Sequence, residues 1–317
     1  MTGYLTGRAL QSAIVLLVMS FVIYALIGLM PGDPIDLMIN SNPKMTSEDA
    51  ARLRALYGID RPILERYGHW LAAAFGGDFG FSRIHARPVM DILLPALGNT
   101  TLLLGVSFAL SLAFGLWLGV LAAVRPYSRT DYAVNLLAFA GISVPPFWLA
   151  LLLIIVFAVM LGLLPAGGVP MTSDAGLWES LRYAVLPVAN LTIASIGGHT
   201  RFVRAAMIET LRQDFIRTAR AKGIGERRVV YKHALRHALV PVTTIVALNF
   251  GALFSGALIT ETIFAYPGMG KLIFDAIMGS DFNLALVSLL FATLFTLAGN
   301  LLADLAYAAL DPRIRYG

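Results

Sequence analysis

Six long apolar stretches limit what this chain can become. They lie near residues 9–30, 99–124, 133–161, 184–200, 239–260 and 283–308, each close to the roughly 20 apolar residues that a helix needs to cross a bilayer core. With 58% hydrophobic and only 14% charged residues and a mean hydropathy of +0.75, the chain is too apolar for an ordinary soluble domain. The expected fold is an all-α integral membrane protein with six transmembrane helices. Arg8 precedes the first span and no small-residue cleavage site appears before Pro31, so that span reads as an uncleaved anchor. The chain has no cysteine, which excludes disulfides and thiolate metal sites.

The connections orient the spans. The 125–132 connection carries Arg125 and Arg129 against Asp131, and the 201–238 loop carries ten of the 24 basic residues. The tail adds Arg313 and Arg315, whereas 164–182 has only Arg182 against Asp174 and Glu179, and 261–282 only Lys271 against Glu261, Asp275 and Asp281. The positive-inside rule then puts both termini in the cytoplasm, and the net charge of +5 reports topology and not nucleic-acid binding. The long first outer loop is near neutral and is expected to form a small helical extracytoplasmic subdomain. Thr46 with Asp49 marks one helix start, and Asp60 before Arg61-Pro62 marks another that runs through Trp70 to Phe75. The chain therefore divides into 1–30, 31–98 and a five-helix core over 99–317.

Residues 201–241 differ from everything around them. Met207, Leu211, Phe215 and Ala219 recur every fourth residue, with Gln213, Arg217 and Arg220 on another side, which predicts one helix with an apolar stripe. Gly223-Ile224-Gly225 interrupts it. Beyond the turn Val230, Ala234 and Ala238 form one row and Arg228, Lys232 and Arg236 another, so a second short helix runs to Pro241. Pattern alone leaves two readings of this elbow open: an interfacial segment held by anionic lipids, or a surface for a cytoplasmic partner.

The wording of the segment adds a resemblance. Asp214-Phe215-Ile216-Arg217-Thr218-Ala219-Arg220-Ala221-Lys222-Gly223, followed by Lys232-His233-Ala234-Leu235-Arg236, resembles the coupling loop of ABC importer permeases in the peptide/nickel (dipeptide/oligopeptide) family. Five further pieces match that family in order: Pro31-Gly32-Asp33-Pro34, Tyr57-Gly58-Ile59-Asp60-Arg61-Pro62, Gly77-Asp78-Phe79-Gly80, Glu261-Thr262-Ile263-Phe264 with Tyr266-Pro267-Gly268-Met269-Gly270, and Leu310-Asp311-Pro312-Arg313-Ile314-Arg315. The general importer-permease motif opens Glu-Ala-Ala, whereas here those places hold Arg217, Thr218 and Ala219, as the peptide/nickel branch commonly reads.

The chain carries no motor of its own. Inside the expected spans the ionisable residues are His199 and Asp304, both read as locally paired. Ion-coupled transport needs an acid at depth, and an intramembrane hydrolase needs a catalytic acid, metal set or activated nucleophile. His233 and His237 stand four apart, as two metal-sharing imidazoles do, but Lys232 and Arg236 flank them and no Glu follows His233, so no metal is expected. Gly270-Lys271 is followed by Leu272 where a nucleotide loop needs Ser or Thr.

The resemblance implies a permease subunit of an ATP-driven, binding-protein-dependent importer in the bacterial inner membrane, forming half of a pathway for di- or oligopeptides or related small solutes. It implies a second homologous permease, two ABC ATPase subunits that bind ATP and Mg, an extracytoplasmic substrate-binding protein and surrounding lipid, with no cofactor in this chain. Arg217, Thr218, Ala219, Arg220, Ala221, Lys222, Gly223, Gly225, His233 and Arg236 are the expected ATPase-coupling residues. Candidate gate or pathway residues are Pro145 and Pro146 in the third span and Ser255 and Gly256 in the fifth, which tight bundle packing explains equally, and, as the resemblance implies, Tyr266 and Pro267 beyond it, where a helix-ending turn is a sufficient explanation. An ion-gradient-driven secondary transporter and a non-transporting receptor or scaffold are the alternatives.

Overall fold

A computed structural model describes residues 2–29, 61–170, 176–240, 242 and 257–310, with backbone alone at 2–5 and 303–310. The motifs at 31–34 and 57–60, the helix start at Thr46, the pathway residues Ser255 and Gly256, most of the fifth span, the Asp304 side chain and the 311–315 ending lie outside them. Among the described residues, regular structure is helical apart from an isolated Phe81–Pro88 bridge. We number the helices α1 (Thr2–Gly28), α2 (Ile63–Phe75), α3 (Val89–Val124), α4 (Arg129–Ser143), α5 (Pro146–Leu153), α6 (Leu177–Leu211), α7 (Asp214–Ala221), α8 (from Glu226), α9 (Met269–Met278) and α10 (Phe282–Leu310).

Three of these are long and apolar enough to cross a membrane, over Thr6–Gly28, Val89–Val124 and Phe282–Leu302, and the bent pair α4 and α5 makes a fourth if counted as one span. The fourth expected span, 184–200, falls inside α6, where Asn190, Thr192, His199 and Thr200 are buried and dilute its hydropathy. The third was expected as one kinked helix, and this is corrected: the helix breaks and turns by 101°. Val144 and Pro145 each precede a proline, whose ring disfavours helical angles in the residue before it. Both are extended, with ψ of 123° and 133°, and Pro146 restarts the helix at its first position. The last turns of this segment, Ile154–Met160, widen into a π-helix.

The chain forms two compact units, residues 1–97 with 271–295 and residues 98–270 with 296–317. In the first, Ile23 and Ile27 of α1, Val89 and Leu93 of α3, Ala276 of α9 and Leu284 and Val287 of α10 share a core. The Asp281 carboxylate caps α10 by accepting from the Leu284 amide, and also takes the Ser82 hydroxyl at 2.6 Å and the Ile84 amide at 3.0 Å. Asn283 donates to the Phe79 and Phe81 carbonyls, so the Gly77–Gly80 motif is the part of the loop that α10 grips. α2 lies on α1 through Tyr67, whose hydroxyl meets Ser20 Oγ at 2.7 Å and whose ring packs on Phe21 and Tyr24.

In the second unit α6 is the central helix. It meets α3 and α4 closely: a Cβ on Gly197 would fall 2.3 Å from the Ala138 carbonyl oxygen of α4. Asn190 donates to Thr260 Oγ1 at 3.0 Å, and Thr192 to the Ser107 carbonyl of α3 at 3.4 Å. His199, read from sequence as locally paired, meets the Ser111 backbone of α3 and sets its ring edge-on to Phe108, while its Nδ1 has no hydrogen-bond partner. Val120 and Ala123 of α3, Val203 and Met207 of α6, Ile216 and Ala219 of α7, and Val230, Ala234 and Ala238 beyond it form one buried cluster. The charged segment is thus part of the core of this unit on one side.

Because a side chain at Gly197 must push α4 away, Gly197→Val is expected to cost about 1–3 kcal/mol through overpacking. At Gly198, where nothing lies within 4 Å of an added Cβ, Gly198→Ala is expected to be neutral. Thermal melting of the two purified variants in detergent checks this.

Candidate functional site: the elbow and its anchors

α6 ends at Leu211, Arg212 closes it, and Gln213 turns extended with ψ 152° before α7 begins at Asp214. The expected single helix through Met207, Leu211, Phe215 and Ala219 is therefore corrected. The break resets the helical phase by turning the chain between Arg212 and Gln213, so the residue that follows Met207 into the core is Ile216, fully buried, while Phe215 is 40% exposed. Asp214 in the first turn and Arg220 in the last complement the dipole of α7.

The turn behaves as its glycines require. Gly223 has φ +76°, a left-handed angle that costs glycine nothing and other residues roughly 1–2 kcal/mol. Its amide donates to the Arg220 carbonyl at 2.9 Å, and the Ile224 amide donates to Ala219 at 3.3 Å. Gly225 then starts α8, which runs Glu226–Arg228, widens to a π-turn over Val229–Ala234 and returns to α-helix over 235–240.

The expected coupling residues come together here. Ala219 faces the core, His233 is half-buried, and Arg217, Thr218, Arg220, Ala221, Lys222, Gly223, Gly225 and Arg236 are exposed. Thr218 Oγ1 donates to the Asp214 carbonyl, and Arg217 lies 3.3 Å from the Asp214 carboxylate. Arg220 has a partner inside the chain: its Nε and Nη2 reach Glu226 at 3.0 and 2.5 Å across the glycine turn. The Arg220 guanidinium holds the Glu226 carboxyl below its ordinary range, so both stay charged at neutral pH. From sequence Glu226 counted only as a charge; the structure gives it a partner across the turn. His237 packs its ring on Phe215 at 4.6 Å, and among the described residues no three His, Asp or Glu side chains gather as a metal site would require.

Two buried carboxylates anchor the surroundings, and the sequence announced the burial and pairing of neither. Asp131, 2% exposed, takes Arg204 Nε and Nη2 at 2.6 and 2.7 Å, the Tyr127 amide at 2.8 Å and Asn135 Nδ2 at 2.6 Å. Ser128 caps α4 by accepting from the Asp131 amide, so the Ser-x-x-Asp spacing was the available signal. Glu261, fully buried, accepts from Thr100 Oγ1 at 2.6 Å and the Gly270 amide at 2.7 Å, while a Cβ on Gly268 would lie 2.3 Å from its carboxyl. Tyr266 and Pro267 sit in this knot, their hydroxyl and carbonyl both on Asn99. Burial, then the charge of Glu261, raises the Tyr266 phenol above its usual range. Pro145 and Pro146 form the α4–α5 break instead.

Residues 115–316 match the family described as the binding-protein-dependent transport system inner membrane component, and residues 1–100 match its N-terminal counterpart. The oligopeptide transport system permease protein AppB of Bacillus subtilis is 38% identical over 318 residues, covering 100% of both chains. This chain is an ABC importer permease of the peptide/nickel family. The glutathione transport system permease protein GsiC of Escherichia coli is 34% identical over 316 residues, again covering 100% of each. A solved amino acid ABC transporter, 14% identical with a TM-score of 0.54, covers 69% of the permease and 94% of its own chain and shares its fold. Family membership favours the importer over the gradient-driven transporter and the scaffold, and with it come ATPase and substrate-binding subunits as partners and an inner-membrane location.

The corrected phase of the elbow has a measurable consequence. Ile216→Ala empties a filled core position and is expected to cost about 2–5 kcal/mol, whereas Phe215→Ala removes a side chain already 40% exposed and costs less. Tryptic cleavage at Arg217 and Arg220 in the membrane is expected to accelerate for Ile216→Ala well beyond Phe215→Ala.

Proposed function

We propose that this permease pairs with a second, homologous permease and forms half of the pathway for di- or oligopeptides or related small solutes. Two ATPase subunits holding ATP and Mg sit beneath the elbow, an extracytoplasmic binding protein docks above, and lipid surrounds the spans. The observation that carries the reading is the likeness to an oligopeptide permease along the full chain. The distribution of basic residues supports a multi-pass topology with both termini in the cytoplasm. The chain is not itself an enzyme: the division into 1–30, 31–98 and 99–317 leaves the chemistry of ATP to the partners and gives this subunit the passage.

The mechanism follows from how the elbow is built. A groove on the ATPase takes α7, meeting the exposed charges of Arg217, Lys222 and Arg236. Arg220 braces the turn through Glu226, which fixes the angle between α7 and α8. Ala221 leaves room for close approach, and Ala219 with Ile216 binds the inner face to α3 and α6. Closure of the ATPase pair therefore shifts helices and not a loose loop. The break at Pro145 and Pro146, the Tyr266–Pro267 turn, and Ser255 with Gly256 are where the pathway opens and closes.

The test is a series at Gly223. Its positive φ admits Asn better than a β-branched residue and excludes Pro, whose φ is fixed near −65°. ATP-dependent peptide uptake is expected to fall in the order Gly, Asn, Val, with none for Gly223→Pro while the chain still inserts. Full uptake by Gly223→Pro contradicts the coupling role, and uptake that follows an ion gradient in the absence of ATP contradicts the importer.

A further inference from the structure

Asp131 and Arg204 stand 73 residues apart and meet as a fork on a fork, the most fully satisfied ion pair among the described residues. The carboxylate is buried and the Arg204 side chain 24% exposed, and a pair largely withdrawn from water is a weak source of stability, because desolvation offsets much of the attraction; what it enforces is one relative placement of the two groups. That placement is reinforced on both sides. Tyr127 adopts φ +64° in the turn whose amide reaches the carboxylate, and Asn135 bonds both the carboxylate and the carbonyl of Asp131. Farther along the same two helices, Arg201 stacks on Phe139 at 4.7 Å and Gly197 lies against Ala138. α4 is thus fastened to α6 at three successive levels. The pair is the level nearest the elbow, seven residues before α6 ends, or roughly 10 Å of helix. Past the topmost level, the next discontinuity in this segment is the Val144–Pro145 break.

We propose that Asp131 and Arg204 are positioning residues for transport: their pairing makes α4 move as one body with the helix that carries the elbow, so that displacement of the elbow is delivered to the Val144–Pro145 break. This rests on the coupling reading above. The elbow receives the stroke, the pair passes it to a second helix, and the break converts it into a change of angle between α4 and α5.

The experiment uses the complete complex in proteoliposomes with its ATPases and binding protein, and reads both ATP hydrolysed and uptake of a labelled tripeptide pool. The double variant Asp131→Asn with Arg204→Met removes both charges, so neither is left buried alone, and Arg204→Lys keeps the charge but loses the fork. The double variant is expected to assemble and hydrolyse ATP in response to binding protein, with peptide moved per ATP falling at least about threefold, and Arg204→Lys to fall between it and the unmodified complex. If the double variant does not assemble, Arg204→Lys alone decides. An unchanged peptide-to-ATP ratio in the assembled variants, even with a lowered melting temperature, overturns the proposal. Absence of ATP-dependent uptake by the unmodified complex takes down the functional reading and this inference with it.

Discussion

A carboxylate removed from water must be answered by donors that cannot leave, and the second unit is arranged around that constraint. Asp131 is met by Arg204, an amide and an amide side chain; Glu261 is met by a hydroxyl and the Gly270 amide. Each links segments far apart in sequence, and each demands small residues or unusual backbone beside it: Tyr127 in the left-handed region in one case, Gly268 and Gly270 in the other. Lone carboxylates in these places would be costly enough to reorganise the fold. Paired, they hold the ends of helices that otherwise present only apolar side chains to one another, which is useful where lipid gives apolar packing no advantage over dispersal.

The elbow depends on the same economy of contacts. Its inner face is part of a core shared with α3 and α6, and its outer face is charged and exposed. A loop of this size made of polar residues alone would fray. Here Ile216, Ala219, Val230 and Ala234 supply the burial, Gly223 supplies the one backbone angle that closes the turn, and Arg220 with Glu226 spans it. On the coupling role proposed above, this bracing is what lets the elbow pass a partner's movement to α3 and α6.

Much of this was legible in the residues. Long apolar runs state their own structure, because length and composition suffice for a span, and α1, α3 and α10 lie where those runs lie. The elbow turn was legible from Gly223 and Gly225, and the buried row of α8 from the spacing of Val230, Ala234 and Ala238. The break at Arg212–Gln213 was not, since neither residue is a breaker and the apolar spacing continues through it in sequence. At Pro145 and Pro146 a kink was legible, but its size came from two pre-proline residues in succession. The carboxylate anchors were least legible: Asp131 entered as a loop charge and Glu261 as a loop charge and a motif residue with no partner assigned, and a pairing across 73 or 161 residues leaves no local trace beyond a Ser-x-x-Asp cap and two glycines.

The central claim is that this permease converts the work of partner ATPases into movement of its helices through the elbow. The most direct measurement is to purify the chain gently from its native membrane, identify what accompanies it, and follow ATP turnover as binding protein and peptide are added. The account requires a second permease and ATPase subunits in the purified assembly and turnover that rises with loaded binding protein. A chain that comes out alone, or an assembly whose turnover ignores the binding protein, contradicts it.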